Sequence, residues 1–343
     1  MGKVKLTIVV LGILLLSCER HEGFGPIYLN ESDTVDIGVQ QSKLIIGCEG
    51  NFQLGNASLS ALDLISDEVQ NHVFKARNEE PLGDVLQSLY HRGDTLFAVV
   101  NNSGLIRLLN DSTFEEIALI DDLLSPRHIH CEGRFMYVTD LYSNTISIFN
   151  LETLSLESEV GLEGWSEKIV RHGSNILVAN ITNNRVEIFD RQLVNLQTIE
   201  LDFQPRYLEV LDDGIAVAGN DDPYNATRGT INVFDTDYNL VSEFELTKEI
   251  QAFSSTHKSL FAIVGEQFIE FSTPDLSPIR EFDIDVQTPY SMIVNEAENE
   301  VYITDVRDFI SNGRLVRYSL NDLTIIKEYE VGQIPQSMLF TLE

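Results

Sequence analysis

From residue 43 onward, apolar residues come in short runs or alternate with polar ones, and Gly, Asn, Asp or Pro repeatedly interrupts them. The stretch 125–160 shows the unit. Residues 127–130 lead into a turn at Glu132-Gly133, and 135–139 is an apolar run too short for a helix. Residues 140–144 form a loop, 145–149 alternate polar and apolar, and 154–160 do so more loosely. Period-two alternation of β-branched and aromatic residues between Gly and Asn turns is the antiparallel strand signal. Four such strands make one twisted sheet with two open edges, which cannot bury both faces alone. Such a sheet needs copies of itself.

The copies are present. Gln87, Arg127, Glu167, Arg206, Gln251, Tyr290 and Gln336 hold one equivalent position at the start of a first strand, at intervals of 40, 40, 39, 45, 39 and 46 residues. The spellings around them agree: Ser-Pro-Arg-His-Ile, Gln-Pro-Arg-Tyr-Leu, Thr-Pro-Tyr-Ser-Met and Ile-Pro-Gln-Ser-Met. A second strand follows each anchor, and a third ends in an aromatic and a turn, as in Ile146-Ser-Ile-Phe-Asn and Val186-Glu-Ile-Phe-Asp. Four strands per period of about 40 residues is the propeller signature. The ends complement one another. Residues 43–47 read as a second strand with no first strand before it, and 335–342 as a first strand with nothing after it. The pattern predicts an all-β, seven-bladed propeller over 42–343. Its C-terminal strand should complete the N-terminal blade as the inner strand, which removes the open edge.

Residues 1–41 do not follow this pattern. Lys3 and Lys5 precede an apolar stretch, 6–16, that is too short to span a bilayer comfortably. Leu15-Leu16-Ser17-Cys18 matches the bacterial lipobox, in which the cysteine is acylated and becomes the new N-terminus. Residues 1–17 are thus expected to be a lipoprotein signal peptide, and 18–41 a lipidated cysteine and tether that anchors the chain to a membrane without spanning it. Glu19-Arg20-His21-Glu22 after that cysteine resembles the surface-export signal of Bacteroidota lipoproteins.

Charge narrows the partners. The formal net charge is −31, and loss of Lys3 and Lys5 with the leader makes it −33. A phosphate-backbone binder needs basic residues for counterion release, so nucleic acid is excluded as a partner. An anionic ligand would be repelled at long range. Besides Cys18, the chain has Cys48 at the end of a second strand and Cys131 at the end of a first strand. Those ends lie on opposite faces, so two buried thiols are expected, not a disulfide.

Antiparallel parity puts the entry to each first strand and each second-to-third loop at one end of the propeller. The seven anchors therefore ring the channel mouth at that end. The same end carries the loops 49–56, 101–104, 140–144, 180–184, 220–229, 265–266 and 305–313. Phe52, Tyr142, Tyr224 and Phe309 should stand near its rim, with Trp165 and Tyr290 further in. Insertions confined to one end of a repeat array mark a binding face, and aromatic walls with amide donors suit a large neutral or zwitterionic ligand. The expected ligand-binding set is Phe52, Gln87, Asn101, Asn102, Arg127, Tyr142, Asn144, Arg206, Tyr224, Tyr290, Phe309 and Gln336.

Other constellations have plainer readings. Asn220-Asp221-Asp222 with Asn225 offers oxygens for Ca²⁺, and Asx-turn chemistry before Pro223 explains the same residues. Arg127, Glu167 and Arg206 read as an ion-pair lining. The histidines show no metal spacing beyond His128-x-His130, with no evident third ligand. No Ser-His-Asp order, phosphate-binding glycine loop or CxxC occurs. No catalytic residue, resident metal or cofactor is expected. A lactonase-type hydrolase would place a metal on channel carboxylates, and one carboxylate between two arginines suits a dication poorly. A structural or protein-docking propeller is the other alternative.

Several segments carry a family resemblance. They are Glu49-Gly-Asn-Phe-Gln-Leu-Gly-Asn, Asn71-His-Val-Phe-Lys-Ala-Arg-Asn, Pro81-Leu-Gly-Asp-Val-Leu-Gln-Ser, Val100-Asn-Asn-Ser-Gly and Tyr137-Val-Thr-Asp-Leu-Tyr-Ser-Asn. With them the chain resembles the YncE-like propeller lipoproteins of Bacteroidota. The blades beginning at Trp165-Ser-Glu-Lys and Gln251-Ala-Phe-Ser depart from the repeat by lacking its Pro. The resemblance implies an outward-facing outer-membrane lipoprotein that captures a ligand, with cobalamin or another corrinoid as the implied class. It implies a TonB-dependent outer-membrane transporter as the partner.

Overall fold

A computed structural model describes residues 41–222 and 225–342; the expected leader, Cys18, most of the expected tether and Tyr224 lie outside the described residues. The strands form seven four-stranded antiparallel sheets. In six of them the strands follow chain order from the inside out, for example Pro126–Glu132, Phe135–Asp140, Thr145–Asn150 and Ser155–Gly161. The seventh sheet has the order Pro335–Leu342, Gln41–Cys48, Ser58–Asp63, Glu68–Gln70, so the last strand of the chain pairs with the first. The chain folds as a seven-bladed propeller closed by its C-terminus. A methyl at Gly47 would meet the Ser337 hydroxyl and the Leu86 side chain, so glycine lets the closing strand lie close at this point.

Alternation becomes burial in a graded way. Second strands such as Thr95–Val100 and Ser259–Val264 are buried at every position, because blades cover both of their faces. Outer strands such as Ser155–Gly161, Leu240–Glu245 and Pro278–Asp283 are largely exposed and acidic. The core is split into seven clusters, one in each seam between neighbouring blades. The seam at the closure holds Leu44, Ile46, Tyr302 and Val331, all fully buried.

The blade that closes the ring departs from the repeat. Its outer strand is only Glu68–Gln70, and a single short helix, Val73–Asn78, follows it. Val73 and Phe74 seal the seam to the next blade, with the Arg107 guanidinium 4.8 Å from the Phe74 ring centre. The strand pattern gives no hint of this helix: at six residues it is too short to show a period. Cys48 and Cys131 are buried and form no disulfide, as expected; burial pushes the Cys48 thiol up to about 12.

Candidate functional site

The seven anchors share a feature that alternation does not reveal. In every blade, the pairing of inner strand with second strand shifts register at the anchor. The shifts fall between Leu86 and Ser88, Pro126 and Ile129, Ser166 and Ile169, Pro205 and Tyr207, Ile250 and Ala252, and Pro289 and Ser291. At the closure, Gly47 pairs with Ser337 and Cys48 with Pro335, skipping Gln336. Gln87, Arg127, Glu167, Arg206, Gln251, Tyr290 and Gln336 are therefore β-bulge residues. A bulge takes its residue out of the ladder and re-aims the side chain.

Several anchors meet one another at the channel mouth. The Arg127 guanidinium grips both carboxylate oxygens of Glu167, at 2.9 and 3.0 Å from Nε, and donates from Nη1 to Gln87 Oε1 at 2.5 Å. Gln87 Nε2 donates to Gln336 Oε1 at 3.0 Å. Trp165 Nε1 donates to Glu167 Oε1 at 2.8 Å, and Arg127 lies 5.6 Å from the Trp165 ring centre. His128 Nε2 stands 3.4 Å from Glu167 Oε2. Burial alone would raise the Glu167 carboxyl, but the Arg127 charge and the His128 contact outweigh it and hold the group at about 2. The same burial keeps His128 below the usual histidine range despite that neighbour. The ion-pair lining read from the sequence is thus an Arg127–Glu167 pair. Arg206 stands exposed elsewhere on the ring.

Glu49 was not among the expected site residues. It follows the second strand Gln41–Cys48, at the position that Asn101, Leu141, Ile181, Asn220 and Val306 hold in other blades. Polar side chains here, Asn101 and Asn220, and one residue earlier, Asp140, Asn180 and Asp305, clasp the backbone of neighbouring segments. Asp140 accepts from Ser125 N at 2.7 Å, Asn180 donates to Glu163 O at 2.8 Å, and Asp305 accepts from Thr288 N at 3.0 Å. Glu49 instead joins the ring. Its Oε1 accepts from Gln336 Nε2 at 2.5 Å and from the Tyr290 hydroxyl at 3.3 Å. Burial raises its carboxyl to about 7, against the bond from Tyr290 and the field of Arg127. The repeat held the signal: one carboxylate in a column otherwise made of amides, glycine and aliphatic residues.

The remaining expected residues divide by depth. Asn101 is buried, and its amide nitrogen goes to Ser125 Oγ at 2.8 Å and Pro126 O at 3.0 Å. Asn102 lies at the rim, donating to Asp84 at 2.5 Å. Asn144 is exposed in a left-handed turn, with φ of 53°. Phe52, Tyr142 and Phe309 are exposed aromatics, at 65%, 70% and 44%. Phe309 packs edge-on against Tyr290 with ring centres 6.0 Å apart. Asn51 Nδ2 donates to Phe309 O at 2.7 Å, which braces the two aromatic loops across the closure seam. Asp221 accepts from Thr227 N at 2.9 Å and Asp222 from Asn225 N at 2.7 Å, the turn chemistry that reading allowed. A cavity of about 540 Å³ opens at the same end between two neighbouring blades, lined by Glu266, Gln287, Asp305, Arg307 and Arg314. It lies off the ring. Among the described residues no cluster of three or more metal-ligating side chains occurs, and no helix is long and apolar enough to cross a membrane.

This geometry defines the class: a seven-bladed β-propeller with a polar, bulge-mounted ring at its loop-rich end. No family model and no curated protein matches the sequence. Solved structures match its fold. A protein from Lactobacillus plantarum is 12% identical over 88% of this chain and 100% of that one, with a TM-score of 0.68. Kuenenia stuttgartiensis hydrazine synthase is 14% identical over 74% of this chain and 88% of that one, at 0.63. Dihydro-heme d1 dehydrogenase NirN in complex with DHE is 12% identical over 86% and 74%, at 0.59.

Proposed function

We propose that this chain is a lipid-anchored outer-membrane protein, facing the exterior, whose loop-rich end captures a large ligand of low net charge for a TonB-dependent transporter. A corrinoid such as cobalamin is the proposed ligand, on the strength of the resemblance to YncE-like lipoproteins of Bacteroidota. The observation that supports a binding role best is the bulge at all seven anchors. An irregularity repeated in every blade at the channel mouth presents seven side chains that regular pairing would not. The mouth offers an aromatic wall at Tyr290 and Phe309, and its rim adds the exposed amide of Asn144, the kinds of surface that a corrinoid's apolar edges and amides need. A net charge of −33 leaves a neutral corrinoid unhindered where it would repel an anionic chelate. NirN, a neighbour of similar fold, is known in complex with DHE.

Isothermal titration of cyanocobalamin into the chain lacking residues 1–18 tests the reading. Sub-micromolar binding is expected, and Tyr142→Ala combined with Tyr290→Ala should abolish it. No heat and no spectral shift at roughly 100 μM corrinoid, where a Kd of 1 μM would saturate the site, ends the corrinoid proposal. The anchor has its own test. Cys18→Ala should leave the precursor unprocessed or release the protein from membranes; a processed, membrane-bound variant would refute the lipid anchor.

A further inference from the structure

We infer that the Glu49 sector of the ring is a subsite for an ammonium group, a feature that rests on reading this end as a ligand face and adds to it a charged recognition element. Geometry separates Glu49 from its counterparts in the repeat. At the same position Asn101 and Asn220 are spent on a neighbouring blade, and one residue earlier Asp140, Asn180 and Asp305 are spent on loop backbone, whereas the Glu49 carboxylate bonds only to side chains of the ring. Among the described residues it makes no ion pair. Both donors that reach it, Tyr290 Oη and the Gln336 amide, meet the same oxygen, Oε1. The half-buried carboxylate thus keeps acceptor capacity on Oε2 for an incoming donor.

Two further observations select a cation over a neutral donor. Tyr290, which touches Glu49, packs edge-on with Phe309, and Phe309 is 44% exposed, so an open aromatic surface adjoins the carboxylate. Carboxylate beside aromatic faces is the pairing that attracts ammonium, by charge and by cation–π contact. Next round the ring from Tyr290, Gln251 has a buried amide oxygen, Oε1, with no hydrogen-bond donor. The two donors at Glu49 are already spent on Oε1, and the remaining acceptors suit incoming N–H groups.

The charged and titratable groups that act on Glu49 are Arg127, from the second blade after the closure, and Tyr290 beside it; Arg206 and Tyr207 act in turn on Tyr290. Glu167 neutralises Arg127, and Arg206 is exposed, where water and salt screen it most. Protonation of Glu49 removes the subsite's charge. With its carboxyl raised to about 7, ammonium binding is present above that pH and lost below it.

The test uses the full-length chain in detergent, with benzylammonium as the probe and benzyl alcohol as its neutral counterpart. Binding is read by titration calorimetry or by ligand NMR. Benzylammonium should bind, tightening about tenfold from pH 6 to pH 8 as a group of pKa about 7 ionises, while benzyl alcohol shows no pH dependence. Glu49→Gln keeps the acceptor for Tyr290 and should weaken benzylammonium at least tenfold, with an unchanged thermal melting curve. The inference is overturned if benzylammonium fails to bind the wild type, if Glu49→Gln binds it unchanged, or if the two probes bind alike. Corrinoid titration is read separately. Corrinoid binding without an ammonium effect removes the subsite alone, and an ammonium effect without corrinoid binding removes the corrinoid alone.

Discussion

A chain ending at Gly332 should not fold. The truncation removes Pro335–Leu342, the strand that pairs with Gln41–Cys48 across seven registers, and so deletes the inner strand of a blade. Leu44, Ile45 and Ile46 are fully buried in the intact protein and would lie beneath an open face and a raw strand edge. Burial of a large aliphatic side chain is worth about 1.5–3 kcal/mol, so three of them account for roughly 5–9 kcal/mol. That rivals the whole stability of a typical domain, about 5–15 kcal/mol. The lost contacts of Met338, Leu339 and Phe340 with the two adjoining seams add to the deficit. Circular dichroism and size-exclusion chromatography should show an unfolded or aggregated species. A truncated chain that melts cooperatively within a few degrees of the full one would mean that the closing strand is dispensable.

The second large effect belongs to Arg127. Replacing it with Met keeps most of the side-chain volume but leaves Glu167, only 7% exposed, without its cation. Removing one partner of a buried pair costs about 3–5 kcal/mol, chiefly because the other charge is stranded. Arg127→Met should therefore lower the melting temperature sharply at pH 7. Arg127→Met combined with Glu167→Gln should recover much of the loss, since no charge is then left behind. The pair also sets a pH dependence. The Glu167 carboxyl is held at about 2, below the usual glutamate value of about 4.3. Its contribution is fully present above the unfolded value and is lost as pH falls through 4 toward 2. In Arg127→Met the stranded carboxylate takes up a proton more readily, so the stability gap between variant and wild type should narrow in acid. A gap that stays constant from pH 7 to pH 3 would show that the pair does not anchor the ring.

The blades were legible because the repeat is written in composition as well as in alternation. Each anchor is followed by a buried second strand and an aromatic-ended third, and the incomplete ends required closure. The positions of Gln87, Arg127, Tyr290 and Gln336 on one ring followed from parity alone. What the anchors do there was not legible. A bulge is a one-residue offset between two strands, and a single strand's sequence does not show its partner's register. Glu49 was hidden for a related reason: it belongs to a second-to-third loop by position but to the ring by contact, through Tyr290 of the preceding blade and Gln336 of the closing strand. Asn101 shows the converse. An amide at the right end of the propeller looks like ligand chemistry until its donors are found spent on Ser125 and Pro126. The helix Val73–Asn78 replaces outer-strand length in a blade whose inner strand comes from the far end of the chain, and no repeat unit predicts it.

The outer strands bear on how copies of this protein meet. Each blade ends in a ribbon with one unpaired backbone edge, and an exposed edge is a template for another strand. Here that edge is studded with acid: Glu157 and Glu159, Glu243 and Glu245, Glu281 and Asp283, Glu328 and Glu330. Two ribbons pairing across molecules would bring these carboxylates to a strand spacing of about 4.8 Å, well inside the screening length of about 8 Å at physiological salt. The disc therefore repels its own likeness around most of its circumference, and its partners are left to approach along the axis, through the two ends of the channel.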